Sequence, residues 1–151
     1  MIRFRPLADA DLPMLLDWLQ RPHVKEWWDD GDDTLEKVCA HYGARDGTRR
    51  FIAEREGVAI GYFQYYRNGA GEIGCDQFLA GPESLSHGIG CACLEAFIDL
   101  IAAAEAPATI LVDPHPDNAR AIRCYEKCGF LSDAERSSPA LCCMTKVLPE
   151  S

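Results

Sequence analysis

The stretch Asp76-Gln-Phe-Leu-Ala-Gly-Pro-Glu-Ser-Leu-Ser-His-Gly-Ile-Gly-Cys-Ala-Cys-Leu-Glu-Ala-Phe97 decides the fold of this chain. It is typical of a strand end, a loop, and then Gly88-Ile-Gly90 at the start of an amphipathic helix. Such a start points free backbone N–H groups and the positive end of the helix dipole at an anion. A phosphate-bearing ligand is our first hypothesis. The alternative is that the two glycines only make a tight turn between strand and helix.

Length and composition limit the class of protein. The 151 residues fit a single domain spanning residues 1–151, and 48% hydrophobic with 26% charged residues is typical of a folded globular protein. No apolar run reaches the length of a membrane span, and the N-terminus lacks the apolar core of a signal peptide. We therefore expect a cytoplasmic protein with no membrane partner. The oligomeric state, monomer or dimer, stays open.

Charge and cysteine content exclude further classes. A net charge of −9 disfavours a nucleic-acid partner and suits a cationic substrate, although acidity could serve solubility alone. None of the eight cysteines forms a Cys-x-x-Cys pair, and most lie in apolar segments. We expect free thiols and no metal, because no His, Cys or Asp set has metal-ligand spacing along the sequence.

Hydrophobic periodicity predicts the element order βααβββαβαββ, a mixed α/β (α+β) domain. Glu56-Gly57 is the strongest hairpin signal, and the meander that it starts delivers Asp76 to the glycine-containing loop. The apolar run at residues 109–112 is typical of a strand buried on both faces. The remaining predicted elements are a helix over residues 119–128 capped by Asn118 and two closing strands, at about residues 130–136 and 140–147.

With this order, the chain resembles the GNAT superfamily of N-acetyltransferases over nearly its full length. Leu85-Ser-His-Gly-Ile-Gly90 looks like the pyrophosphate-binding motif, with Leu85 where Gln or Arg is usual. Residues 118–130, Asn-Ala-Arg-Ala-Ile-Arg-Cys-Tyr-Glu-Lys-Cys-Gly-Phe, look like the second superfamily signature. Four segments are similar to aminoglycoside 6′-N-acetyltransferases: residues 11–28, Ile60-Gly-Tyr62, Asp76-Gln77 and Asp113-Pro114. One departure is the turn at residues 67–72, where that group carries a longer loop rich in Trp and acids.

The resemblance implies acetyl-CoA as the co-substrate. Backbone N–H groups near the helix start would hold its pyrophosphate, because glycine lets the main chain come close. The strand before the loop and Asn118 would hydrogen-bond the pantetheine arm. The implied cofactor-binding residues are Gln77, Phe78, Leu79, Ser86, His87, Gly88, Ile89, Gly90 and Asn118.

The resemblance also implies two catalytic residues. Asp76 takes the role of general base, although an ordinary aspartate pKa of about 3.9 suits it better to anchoring an ammonium group and relaying its proton. Tyr125 is the candidate acid for the departing thiolate, or a hydrogen-bond donor to it. The plain structural alternatives are a solvated carboxylate at a strand end and a tyrosine that fills the core.

An aromatic and acidic cleft is the expected acceptor site, because sugar rings stack on aromatic side chains while ammonium groups seek carboxylates. The leading hypothesis is acetyl transfer to the 6′-amine of an aminoglycoside. One alternative is acylation of another amine, such as a siderophore hydroxylamino-lysine side chain, and another is an acyl-CoA-binding sensor without turnover. The candidate substrate-binding residues are Glu26, Trp28, Tyr66, Asp76 and Asp113.

Overall fold

The computed structural model describes residues 1–81 and 88–150. In this part of the chain, no helix has the length and apolarity needed to cross a membrane. The strands are β1 (Ile2–Pro6), β2 (Arg49–Arg55), β3 (Val58–Arg67), β4 (Glu72–Leu79), β5 (Thr109–Val112), β6 (Leu131–Ser132) and β7 (Met144–Val147). The helices are α1 (Leu12–Gln20), α2 (Pro22–Lys25), α3 (Leu35–Tyr42), α4 (Ile89–Glu105) and α5 (Ala119–Lys127).

The seven strands form one mixed sheet in the order β1-β2-β3-β4-β5-β7-β6. The predicted hairpin joins β2 to β3, and both of its turn residues have positive φ, 53° at Glu56 and 79° at Gly57, as a two-residue type I′ turn requires. The β2–β3–β4 meander is antiparallel, as predicted. The pairing between β4 and β5 is parallel.

The two central strands diverge, and this opening is the feature that positions the site. The parallel pairing of β4 with β5 ends at Gly74 and Leu111. From there β4 continues to Leu79 paired with β3, whereas β5 ends at Val112. We call the opening between residues 75–79 and the chain that follows Val112 the wedge. Within the described part of the chain, no strand pairs with that edge of β4, which leaves main-chain groups there for a ligand.

Each face of the sheet carries its own apolar core. Side chains alternate along a strand, so on β3 Phe63 and Tyr65 join the core under α4 and α5, whereas Tyr62 joins the core under α1 and α3. The same alternation places Cys75 of β4 in the α4–α5 core and packs Phe78 against the α1–α3 core. Successive residues of β4 therefore face different sides of the molecule.

The structure differs from the predicted elements in two places. Residues 22–25 form the additional short helix α2, because Pro22 suits the first turn of a helix. The two closing strands are shorter than predicted, since a 3₁₀ helix at Ala134–Arg136 and a turn follow β6. The Asp133 side chain accepts a hydrogen bond from the Glu135 backbone, and this cap competes with strand pairing.

Candidate active site

Two aspartates face each other across the wedge. Asp76 and Asp113 each lie two residues beyond the last parallel pair, Gly74 and Leu111, so they occupy equivalent positions on the two diverging chains. Both residues are half-buried, and their carboxyl groups are within hydrogen-bonding reach of each other. Two acids 37 positions apart in the sequence thus form one acidic site.

Burial and mutual repulsion control the protonation of this pair. Burial raises the pKa of Asp113 to about 6, and the negative charge of Asp76 and their shared hydrogen bond add to the effect. Burial also raises the pKa of Asp76, while hydrogen bonds with Gln64 and Asp113 oppose the rise. The pair as a whole therefore holds a proton to a higher pH than an ordinary aspartate does. An ammonium group placed between the two carboxyls would favour the doubly ionised form.

Asp76 is held in place by a chain of hydrogen bonds that our sequence prediction missed. Gln64, its cross-strand partner on β3, donates from Nε2 to Asp76 Oδ2 at 3.1 Å. The Tyr62 hydroxyl donates in turn to Gln64 Oε1 at 2.6 Å. A polar Gln inside an apolar strand, on the face that Asp76 shares, was the available signal.

Tyr66 lies on the same face of the sheet as the two acids. Burial raises the pKa of Tyr66, and the negative charges of Asp76 and Asp113 near its hydroxyl add to the rise. Its ring covers Gly74, where an added Cβ would come within 2.5 Å of the ring atom Cζ. Gly74 therefore makes room for the aromatic side chain beside the acids, and the role of Tyr66 in substrate binding stays a prediction.

Tyr125 lies on the opposite face of β4 from Asp76. It projects from α5 and packs against the α4–α5 core, where its ring contacts Phe130 at a centroid distance of 5.6 Å. The Gln77 side chain donates from Nε2 to the Tyr125 hydroxyl at 2.5 Å. Burial raises the pKa of Tyr125 well above its usual value. The structure therefore connects Gln77 to Tyr125 through its side chain, a contact that the sequence did not suggest.

The two adjacent tryptophans have different environments. Trp28 is half-buried against the α1–α3 core, and its indole N–H donates to the Tyr42 hydroxyl at 3.0 Å. Trp27 is 43% exposed, and its ring lies 5.8 Å from that of His115, two residues after Asp113. Trp27, rather than the predicted Trp28, is thus the exposed tryptophan beside the loop that carries Asp113.

Glu26 is exposed where α2 ends, and no described contact joins it to the acid pair. Its predicted role in substrate binding therefore has no geometric support within residues 1–81 and 88–150.

The start of α4 has the geometry that the anion hypothesis requires. Gly88 has a φ of 73°, and a Cβ added there would meet no described atom within 4 Å. Among the described residues, no side chain caps α4, so the N–H groups of its first turn, Ile89 to Cys91, have no described side-chain partner and could bind a ligand. The predictions for Leu85, Ser86 and His87 concern residues outside the described part of the chain.

Three other candidate cofactor-binding residues have partners of their own within the protein. Asn118 caps α5 as predicted, since its side-chain oxygen accepts from the Ala121 N–H at 3.3 Å. The Leu79 carbonyl oxygen lies 3.0 Å from His23 Nε2, so a cofactor arm would share this acceptor with the histidine. Phe78 turns its side chain toward Trp28, with ring centroids 5.2 Å apart. Its side chain is therefore part of the packing beside the wedge.

Comparison with known proteins agrees with this geometry. A family model described as an acetyltransferase (GNAT) domain matches residues 8–137. The chain belongs to this GNAT acetyltransferase family.

Particular relatives narrow the comparison. Aminoglycoside N(6')-acetyltransferase type 1 of Klebsiella pneumoniae is 33% identical over 156 aligned residues, which cover 91% of this chain and 78% of that protein. The solved complex of AAC(6')-Ib with Parmomycin and AcetylCoA has a TM-score of 0.88 at 32% identity and covers 97% of this chain and 93% of its own. The complex of AAC(6')-Ib with coenzyme A and kanamycin has a TM-score of 0.87 at 32% identity, covering 97% and 95%.

Proposed function

We propose that this protein transfers the acetyl group of acetyl-CoA to the 6′-amine of an aminoglycoside. The observation that carries the proposal is the acid pair, Asp76 and Asp113, at the wedge of a GNAT fold. This pair offers negative charge to a polycationic amine beside the unpaired edge of β4. The names of the relatives at 32% and 33% identity support the same acceptor class. Acetylation would remove a positive charge from the drug, which is a route to antibiotic resistance.

The acid pair would prepare the amine for reaction. An ammonium group is not nucleophilic, so one proton must leave it before attack. We assign that proton to Asp76, directly or through a water molecule, while Asp113 and Tyr66 hold the acceptor. The neutral amine then forms a bond to the thioester carbonyl carbon, and the C–S bond breaks as the intermediate collapses. Two protons leave the nitrogen in all: the first passes through Asp76 to solvent before attack, and the second leaves the tetrahedral intermediate and protonates the thiolate, so the products are the acetamide and CoA.

Tyr125 would stabilise the departing thiolate rather than fully protonate it. Even an ordinary phenol, with a pKa of about 10, is a weaker acid than a thiol at about 8.5, so complete transfer costs roughly 2 kcal/mol. Burial raises the pKa of Tyr125 further. A hydrogen bond from its hydroxyl to the developing thiolate needs no complete transfer.

The cofactor would bind along the wedge, with its pyrophosphate at the start of α4. Gly88 to Gly90 supply the main-chain approach, and we include Ser86 and His87 in this proposed loop. The edge of β4 from Gln77 to Leu79 and the amide of Asn118 would contact the pantetheine arm. We also propose that residues 1–151 act as one domain in the cytoplasm, since eight free thiols fit a reducing compartment.

The test is thiol release from acetyl-CoA with a panel of aminoglycosides, diamines and hydroxylamino-lysine. We expect release with aminoglycosides that carry a 6′-amine. Asp76→Asn keeps the shape but removes the charge, so kcat/KM should fall by roughly 10²–10⁴. Asp117→Asn is the matched control, because this carboxylate is exposed four residues beyond Asp113.

Three outcomes would contradict the proposal. Turnover of hydroxylamino-lysine alone would favour the siderophore alternative. CoA binding without turnover of any amine would favour the sensor. An Asp76→Asn enzyme as active as Asp117→Asn would remove Asp76 from the mechanism.

A further inference from the structure

Three cysteines meet between α4 and α5. Cys91 lies in the first turn of α4, Cys124 lies on α5, and Cys128 follows directly after α5 ends. Their three sulfur atoms all lie within 4.8 Å of one another, and the sulfurs of Cys91 and Cys124 are 2.9 Å apart. We call this group the cysteine cluster. It lies apart from the acid pair and borders the proposed cofactor site, since Cys91 follows Gly90 and Cys124 precedes Tyr125.

We propose that the cysteine cluster binds one soft divalent cation, such as Zn²⁺ or Cd²⁺, through three thiolates. Zinc–sulfur bonds are about 2.3 Å long, which places the sulfurs of a tetrahedral site about 3.8 Å apart. Three sulfurs that already lie within 4.8 Å of one another need only side-chain rotations to reach this arrangement. Thiolates are the ligands that favour zinc and softer cations over magnesium or calcium.

The helices provide a framework for such a site. Cys124 and Cys128 are four residues apart, so they lie on one face of α5, and Cys91 approaches from α4. Cys128 is buried, whereas Cys91 and Cys124 are half-buried and within reach of a cation from solvent. Glu95, exposed one helical turn beyond Cys91, or a water molecule could supply a fourth oxygen ligand.

A metal site explains the cluster better than a disulfide does. A disulfide joins two sulfurs at about 2.05 Å and would leave the third thiol unused. Cation binding uses all three, involves no electron transfer, and releases thiol protons to solvent. It would also tie the first turn of α4 to the end of α5. Because the folded chain binds the cation with all three ligands assembled, occupancy should raise Tm.

The test is a titration of the reduced, metal-free protein with Cd²⁺, followed by the ultraviolet thiolate-to-metal charge-transfer band. We expect one equivalent to bind and Tm to rise. Cys91→Ser and Cys124→Ser should each weaken binding by more than roughly 100-fold, since losing a direct ligand costs more than losing the hydrogen-bond partner of a ligand. Cys39→Ser is the control, because this exposed cysteine lies on α3 outside the cluster.

Both Ser variants replace half-buried thiols with a side chain of similar size, and circular dichroism would verify that they fold. Absence of the charge-transfer band in the wild-type protein would overturn the proposal. Equal Cd²⁺ affinity in Cys39→Ser and Cys124→Ser would do the same. Peptide mapping that finds a Cys91–Cys124 disulfide in protein kept under reductant would also overturn it, in favour of a redox pair.

Discussion

At the scale of single residues, the contact between Gln77 and Tyr125 joins the strand at the wedge to the candidate thiolate-stabilising group. Gln77 Nε2 donates to the phenol oxygen, which leaves the phenol proton free to point elsewhere. Gln77 Oε1 is buried and has no hydrogen-bond partner among the described residues. We infer that Gln77 positions Tyr125 and that its unpaired oxygen costs some stability.

Gln77→Leu should therefore lower kcat without destabilising the protein. Loss of one hydrogen bond of about 1.4 kcal/mol corresponds to roughly a tenfold decrease, with KM for the amine unchanged. The double variant, with Gln77→Leu and Tyr125→Phe together, should have the same kcat as Tyr125→Phe alone, because both changes act on one group. Steady-state kinetics and melting curves of the two single variants and the double variant would measure this. Additive losses in kcat would contradict a shared role.

The protonation of Asp113 predicts a pH dependence of stability. Its pKa rises from an ordinary 3.8 to about 6 on folding, so the folded protein binds the proton more tightly than the unfolded chain. The resulting stability is complete below pH 4 and is lost as the pH rises through about 6. After discounting for solvent screening, the effect is roughly 1 kcal/mol.

The free energy of unfolding of the wild type, relative to Asp113→Asn, should accordingly fall between pH 4 and pH 7. The difference between the two proteins reports on the Asp76–Asp113 pair and cancels the carboxylates outside it, such as Asp46 and Glu72, whose pKa values are lowered by arginine partners. Urea unfolding at several pH values provides the measurement. A difference that stays constant over this range would show that Asp113 titrates normally.

At the scale of elements, the start of α4 allows the anion-binding role to be tested by charge alone. Gly88→Asn and Gly88→Asp introduce side chains of nearly equal shape, and both residue types tolerate the positive φ of 73° better than most. Only Asp adds negative charge beside the proposed pyrophosphate. We expect the Kd for CoA to be roughly 10–100 times weaker in Gly88→Asp than in Gly88→Asn. Calorimetric titration giving equal Kd values would contradict the site.

Elements with local signals were predicted well, and elements defined by distant partners were not. Glu56-Gly57 carries its own turn chemistry, and Asn118 caps α5 through its own side chain, so each signal lies within a few residues. The structure of the segment after β6 depends instead on a residue that is distant in the sequence. Arg136 pairs there with Glu72 of β4 at 2.8 Å, a partner 64 positions away that no local pattern announces.

At the scale of the whole molecule, the same distinction applies to the candidate site. Asp76, Tyr125 and Asp113 could be selected because each lies in a short segment with a family resemblance. Their relations could not be predicted, because they depend on where two parallel strands stop pairing. The pairing of Asp76 with Asp113 and the meeting of Cys91 with Cys124 both arise from tertiary structure, as does the support from Gln64. For the same reason, the spacing of the cysteines along the sequence did not predict that Cys91, Cys124 and Cys128 come together.

The divergence of β4 from β5 bears on the order in which the two proposed substrates could bind. Asp76 faces the α1–α3 side of the sheet and Tyr125 the α4–α5 side. If the acceptor binds at Asp76 and the cofactor on the Tyr125 side, as we propose, each would approach the strand edge from its own side, and we expect a ternary complex without an acetylated enzyme. Initial-rate plots against both substrates should give intersecting lines. Parallel lines would instead indicate a ping-pong mechanism, in which the protein carries the acetyl group covalently between two half-reactions.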